Sequence, residues 1–170
     1  VLVALTFLPP AAARAGDNVH ARAWLSWSAT GITTNLTNPG ELNKLYVRVD
    51  STMAFKGAEL DLTWSPAGDG DACAAHTGTE FRTSTTCTYL NRGTAAAITV
   101  ADTLGHLHIA WANNQTNTGC SSGGNAVLVV FAFDGCEDAA GCLRLNSMVL
   151  LDSAAVIDTV EIAGATATVL

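Results

Sequence analysis

The residues best suited to chemistry fall in a few places. His106 and His108 stand two apart in Gly105-His-Leu-His-Ile-Ala-Trp-Ala112. On a strand, both imidazoles leave the same face. Two imidazoles can hold a transition metal once a third ligand joins them; His76 or a loop aspartate is the available third. Asp69-Gly70-Asp71 offers two carboxylates in a turn, and Asp134, Glu137 and Asp138 offer three more. Calcium takes oxygen ligands from loops of this kind; no cofactor is assigned, and a structural calcium ion is the one exception these carboxylates could support. The full D-x-D-x-D-G spacing is absent. The competing reading is two solvent-side histidines and a set of solvated loop acids.

Gly119-Cys-Ser-Ser-Gly123 spells G-x-S-x-G. That motif works when a strand–turn–helix elbow lifts the serine above a parallel sheet. Here Ser121 lies in a polar loop followed by a strand, so the scaffold is missing. No residue is assigned a catalytic role, and the chain reads as non-enzymatic. Sugar recognition would need an exposed ring for a pyranose face. Trp24 falls on the outer face of its strand, whereas Trp27, Trp64 and Trp111 fall inward. Trp24 is therefore the candidate ligand-binding ring for a polysaccharide.

These groups hang on strands. In Leu45-Tyr-Val-Arg-Val-Asp50, Leu45, Val47 and Val49 share one face and Tyr46, Arg48 and Asp50 the other. In Glu59-Leu-Asp-Leu-Thr-Trp64, Leu60, Leu62 and Trp64 oppose Glu59, Asp61 and Thr63. A period of two with one dry side means a half-buried sheet. Further candidates are Val19–Ser28 with Ala21, Ala23, Leu25 and Trp27 inward, Thr86–Leu90, Ala97–Ala101, and Gly105–Ala112 with Leu107, Ile109 and Trp111 inward. Ala126–Phe133 is apolar on both faces and reads as a central strand; Leu143–Asp152, Val156–Ile162 and Ala165–Val169 follow. Residues 67–84 and 113–125 read as loops. About nine short strands without an amphipathic helix predict an all-β, antiparallel, jelly-roll-like sandwich.

The chain of 170 residues is long enough for one domain with a real core. Its net charge of −7, with no run of Lys or Arg, argues against a nucleic-acid partner. The apolar stretch Val1–Leu8, the break at Pro9-Pro10 and the small residues Ala13 and Ala15 match the end of a signal peptide whose front is missing. Cleavage would leave Gly16 or Asp17 first, and residues 16–170 as one domain. The run is shorter than the roughly 20 residues that cross a bilayer, so no span is expected in the mature chain. The expectation is a secreted or cell-surface protein. Five cysteines suit an oxidising compartment. Cys136 and Cys142 could close a small loop and Cys73 and Cys87 a larger one, leaving Cys120 over; the sequence leaves the connectivity open.

The order of strands resembles the cohesin-like domains of bacterial extracellular proteins. The resemblance is carried by residues 45–50, 55–66, 105–112, 124–133 and 143–152. In that family a Val-x-Val strand leads to a G-x-x-x-x-L-x-Y-x-P strand. Here Gly57, Leu62, Trp64 and Pro66 fill that pattern, with Trp64 where tyrosine is usual. The resemblance implies a jelly-roll-like sandwich of about nine strands that docks a calcium-bound dockerin on a sheet face. It thus implies a secreted attachment or assembly module with a protein partner, dockerin-like in kind. The alternative is a carbohydrate-binding module of a secreted polysaccharide-active protein.

Overall fold

The computed structural model describes residues 16–37, 42–53, 55–64, 73, 75–81, 95–103, 105–117, 126–134, 136, 141–152 and 154–169. Two alternating segments lie at its centre. They form β3 (Leu42–Asp50) and β4 (Phe55–Trp64). Leu45, Val47, Val49 and Leu62 are fully buried, and Leu60 and Trp64 nearly so. Glu59, Asp61 and Thr63 face away from this core, as the period of two requires.

Ten more strands complete the set. They are β1 (Arg22–Ser26), β2 (Asn35–Leu36), β5 (Ala75–Phe81), β6 (Ala95–Thr103) and β7 (His106–Asn117). Then come β8 (Ala126–Asp134), β9 (Gly141–Asp152), β10 (Ile157–Thr159), β11 (Glu161–Gly164) and β12 (Thr166–Val169). One sheet runs β11-β1-β3-β8-β5. The other runs β2-β12-β9-β4-β7-β6, with β10 added on β9. No helix occurs among the described residues. The result is a β-sandwich with more strands than the expected nine, because β2 is too short to leave a pattern, β5 falls in an expected loop and the Val156–Ile162 candidate divides into β10 and β11.

The sheets are mixed rather than purely antiparallel. β1 pairs β11 in parallel, and so do β12 and β2. Both pairs join segments from opposite ends of the chain. A long connection permits parallel pairing, which a tight hairpin forbids.

The core lies between the sheets. Phe131 and Phe133 of β8 are fully buried, as are Leu107 and Ile109 of β7. Phe133 meets Trp64 edge to face with ring centroids 5.1 Å apart, so one aromatic contact joins the two sheets. His76 of β5 packs its ring against Phe131 and Phe133. Its Nδ1 lies 2.6 Å from Asp102 Oδ2 on β6, and its Nε2 lies 2.8 Å from the Gly78 carbonyl. This link ties the last strand of one sheet to the last strand of the other.

Several expectations are corrected. β5 occupies part of the expected 67–84 loop, and β7 runs on through Asn117, where a loop was expected from residue 113. Neither stretch alternates apolar and polar residues. Arg48, placed on a wet face, is only 3% exposed. The backbone after β1 folds over it, and its guanidinium donates to the carbonyls of Ser28 and Ala29. The candidate strand Thr86–Leu90 lies outside the described residues.

The cysteines also pair differently. The bridge is Cys73–Cys136, which replaces both loop-closing pairs. β5 and β8 are antiparallel neighbours, with Ala75 opposite Asp134 and His76 opposite Phe133. Two steps further along that register, Cys73 falls opposite Cys136. Cys142 is exposed and unbridged on β9, in the other sheet. Cys87 and Cys120 lie outside the described residues.

Candidate functional site

A connected set of acidic, imidazole and amide side chains stands on the outer face of the sheet built around β4. β4 sits between β7 and β9. The pairing sets Asp61 opposite His108 and Thr63 opposite His106. Outward positions of β4 and β7 thus form two adjacent rows, with Glu59 and Asp61 against His106 and His108.

The rows interlock. His106 Nε2 lies 2.5 Å from Asp61 Oδ2, and His108 Nδ1 lies 3.7 Å from the same oxygen. His108 Nε2 lies 3.3 Å from Glu59 Oε1. From the other side, Asn146 Nδ2 donates to Asp61 Oδ1 at 2.7 Å and to Thr63 Oγ1 at 3.1 Å. Asn146 reaches there because the β4–β9 register slips. Asp61 pairs with Ser147 and Leu62 with Leu145, so Asn146 is the extra residue of a bulge. A bulge re-aims one side chain without breaking the sheet. Asp61 is the hub of this network.

Burial is the largest single influence on the Asp61 carboxyl and pushes its pKa up. It is outweighed by the hydrogen bonds from Asn146 and His106 and by the charges of His106 and His108. The pKa therefore sits below the usual 3.8. A depressed pKa stabilises the fold above the unfolded value, and that contribution is lost as pH falls through the lower folded value. We expect Asp61→Asn to lower stability at pH 6 yet flatten the acid limb below about pH 4. Urea midpoints at pH 6 and pH 3 check this; an unchanged difference between the two pH values would refute it.

Both histidines do share the outer face. Their carboxylate partners come from the adjacent strand, a placement that alternation within one strand cannot supply. His76, considered as a third ligand, belongs to the other sheet and is engaged with Asp102. Asp69 and Asp71, like Glu137, Asp138 and Ser121, lie outside the described residues. Among the described residues no group of three or more His, Cys, Asp or Glu side chains is placed to hold a metal ion. Asn146 was missed altogether, since only strand pairing reveals the bulge.

Trp24 stands on the outer face of the other sheet, partly buried. The Arg22 guanidinium lies 5.2 Å from its ring centroid and also pairs with Asp50 at 2.8 Å. Gly164 lies so close that a Cβ there would come within 2.5 Å of Trp24 Cδ1. The ring is flanked by protein groups rather than standing free as a platform.

No protein-family model matches the chain, and no curated protein matches it. Solved structures do. A cohesin module from a Clostridium perfringens family 33 glycoside hydrolase aligns at 8% identity with a TM-score of 0.59, covering 89% of this chain and 97% of that one. The cohesin–dockerin complex of Clostridium thermocellum described as a novel type I complex aligns at 7% identity with a TM-score of 0.58, covering 92% and 96%. A non-cellulosomal cohesin from the archaeon Archaeoglobus fulgidus aligns at 10% identity with a TM-score of 0.54, covering 88% of each chain. At such identities the shared property is the architecture. This chain is a cohesin-like β-sandwich.

Proposed function

We propose that this chain is a secreted, non-enzymatic protein–protein attachment module. It takes a dockerin-like partner on the outer face of the sheet that carries β4, β7 and β9. The observation that carries this reading is the fixed polar row on that face. Glu59, His108, Asp61 and His106 on paired strands, and Asn146 at the β9 bulge, are held by one another. Side chains pre-positioned in this way lose little freedom when a partner arrives. The row also supplies donors and acceptors in a fixed order, which favours one docking register over others. The cohesin-like fold supports the reading, because one of the similar structures is itself a cohesin–dockerin complex. The leader-like residues 1–15 and the disulfide support an extracellular setting.

The test is titration calorimetry of the protein against a panel of calcium-loaded dockerin modules. We expect at least one micromolar or tighter complex, weakened about tenfold (about 1.4 kcal/mol) by Asp61→Ala with the circular dichroism spectrum unchanged. No binding across the panel would sink the reading, as would a complex indifferent to Asp61 and His108.

A further inference from the structure

A buried acid on β10, paired to β9 on the margin of the same sheet, has no role in this polar row. Asp158, in the middle of β10, is 4% exposed. Its Oδ2 accepts the Asn18 N–H at 2.9 Å. None of the described lysine, arginine or histidine side chains forms an ion pair with it. An isolated buried carboxylate is unfavourable unless it is paired or well hydrogen-bonded.

What lies against it is Gly16. A Cβ built on Gly16 would overlap Asp158 Oδ1, Cγ and Oδ2, so only glycine fits. Cβ and N sit about 2.5 Å apart on one Cα, which puts the Gly16 nitrogen within about 4 Å of Oδ1. The segment that follows is fastened on several sides. Asn18 Oδ1 accepts the Met53 N–H at 2.8 Å. The Ala21 N–H donates to the Asn18 carbonyl at 2.9 Å, and the Ala21 carbonyl accepts from Glu161 at 3.0 Å. Residues 16–21 are thus an anchored part of the fold, and in the sequence the A-x-A pattern of Ala13 and Ala15 directly precedes them.

We infer that Gly16 is the mature N-terminus and that its freed α-ammonium group is the counter-ion of Asp158. The step is hydrolysis of the Ala15–Gly16 peptide bond by an export peptidase. Water adds across the amide, Ala15 leaves as a carboxylate, and the Gly16 amine takes up a proton. A neutral amide beside Asp158 becomes a cation, so removal of the leader tightens the fold it leaves behind. The inference rests on the secreted reading above and assigns the cut between Ala15 and Gly16 rather than after Gly16, where the ammonium would be carried by exposed Asp17.

The experiment uses the protein recovered from the medium of its native host. Intact-mass and N-terminal peptide analysis fix the first residue; Gly16 is expected, and any other start overturns the inference. Reductive methylation at pH 7, followed by peptide mapping, then reads the exposure of the α-amine. We expect the Gly16 amine to react about tenfold more slowly in the folded protein than in urea, as for an amine held protonated by about one pH unit. Asp158→Asn should abolish that protection. Equal rates for folded and unfolded protein would overturn the ion pair even where the cleavage site is right. If Asp158→Asn does not fold, the comparison of folded with unfolded wild type still decides. The two failures are distinguishable, because the mass reports on export and the reactivity on Asp158.

Discussion

Phe133→Ala is expected to destabilise the protein by about 3–5 kcal/mol, the usual loss for emptying a buried phenylalanine site. Phe133 is fully buried, and its ring contacts Trp64 across the interior and the His76 ring beside it. Deletion therefore removes transfer free energy and also the edge-to-face contact with Trp64 that joins the two sheets. β8 lies between β3 and β5 and β4 between β7 and β9, so neither strand can easily move in to fill the gap. Phe133→Leu keeps most of the volume and should lose less, about 1–1.5 kcal/mol. Urea unfolding of the two variants and the parent measures both. A loss below about 1 kcal/mol for the alanine variant would show that the site collapses, contrary to the packing described.

Removing the disulfide should have a comparable effect. Cys73 and Cys136 are 63 residues apart in sequence, so their bridge closes a long loop in the unfolded chain. Loop-closure entropy for a loop of this size corresponds to about 4 kcal/mol, and measured values more often reach 2–4. Cys73→Ser combined with Cys136→Ser should lower the melting temperature by about 10 °C. Reduction of the wild type should reproduce the shift. Calorimetry with and without reductant checks the magnitude, and peptide mapping under non-reducing conditions checks the pair itself. A Cys136–Cys142 peptide in that map would refute the register argument that places Cys73 opposite Cys136.

Legibility from sequence followed the range of the interactions. Period-two alternation placed the inward faces of β3 and β4 and of the first half of β7 correctly, because it records burial residue by residue. It also put Glu59, Asp61, His106 and His108 on wet faces. It failed wherever two distant strands had to be set side by side. The bond between Asp61 and His106, the bulge that brings in Asn146, and the Cys73–Cys136 pair all depend on pairing that no local window contains. β5 was invisible for a different reason. At the end of its sheet, with glycine and threonine in its sequence, it lacks the run of alternating apolar residues that marks an interior strand. Arg48 shows the limit of alternation itself. Its position is outward by period, yet the loop after β1 covers it and its guanidinium donates to the Ser28 and Ala29 carbonyls there.

The link between His76 and Asp102 bears on how the molecule behaves in a crowd of copies. A strand with an open flank is a template on which a second chain can add itself, and fibres grow by repeating that addition. On one side of this sandwich the outermost strands, β2, β10 and β11, are only two, three and four residues long, too little for a foreign strand to grip. On the other side β5 and β6 are pinned to each other by their side chains. Short strands thus give a foreign chain little purchase at one margin, and at the other the His76–Asp102 contact keeps β5 and β6 closed against each other.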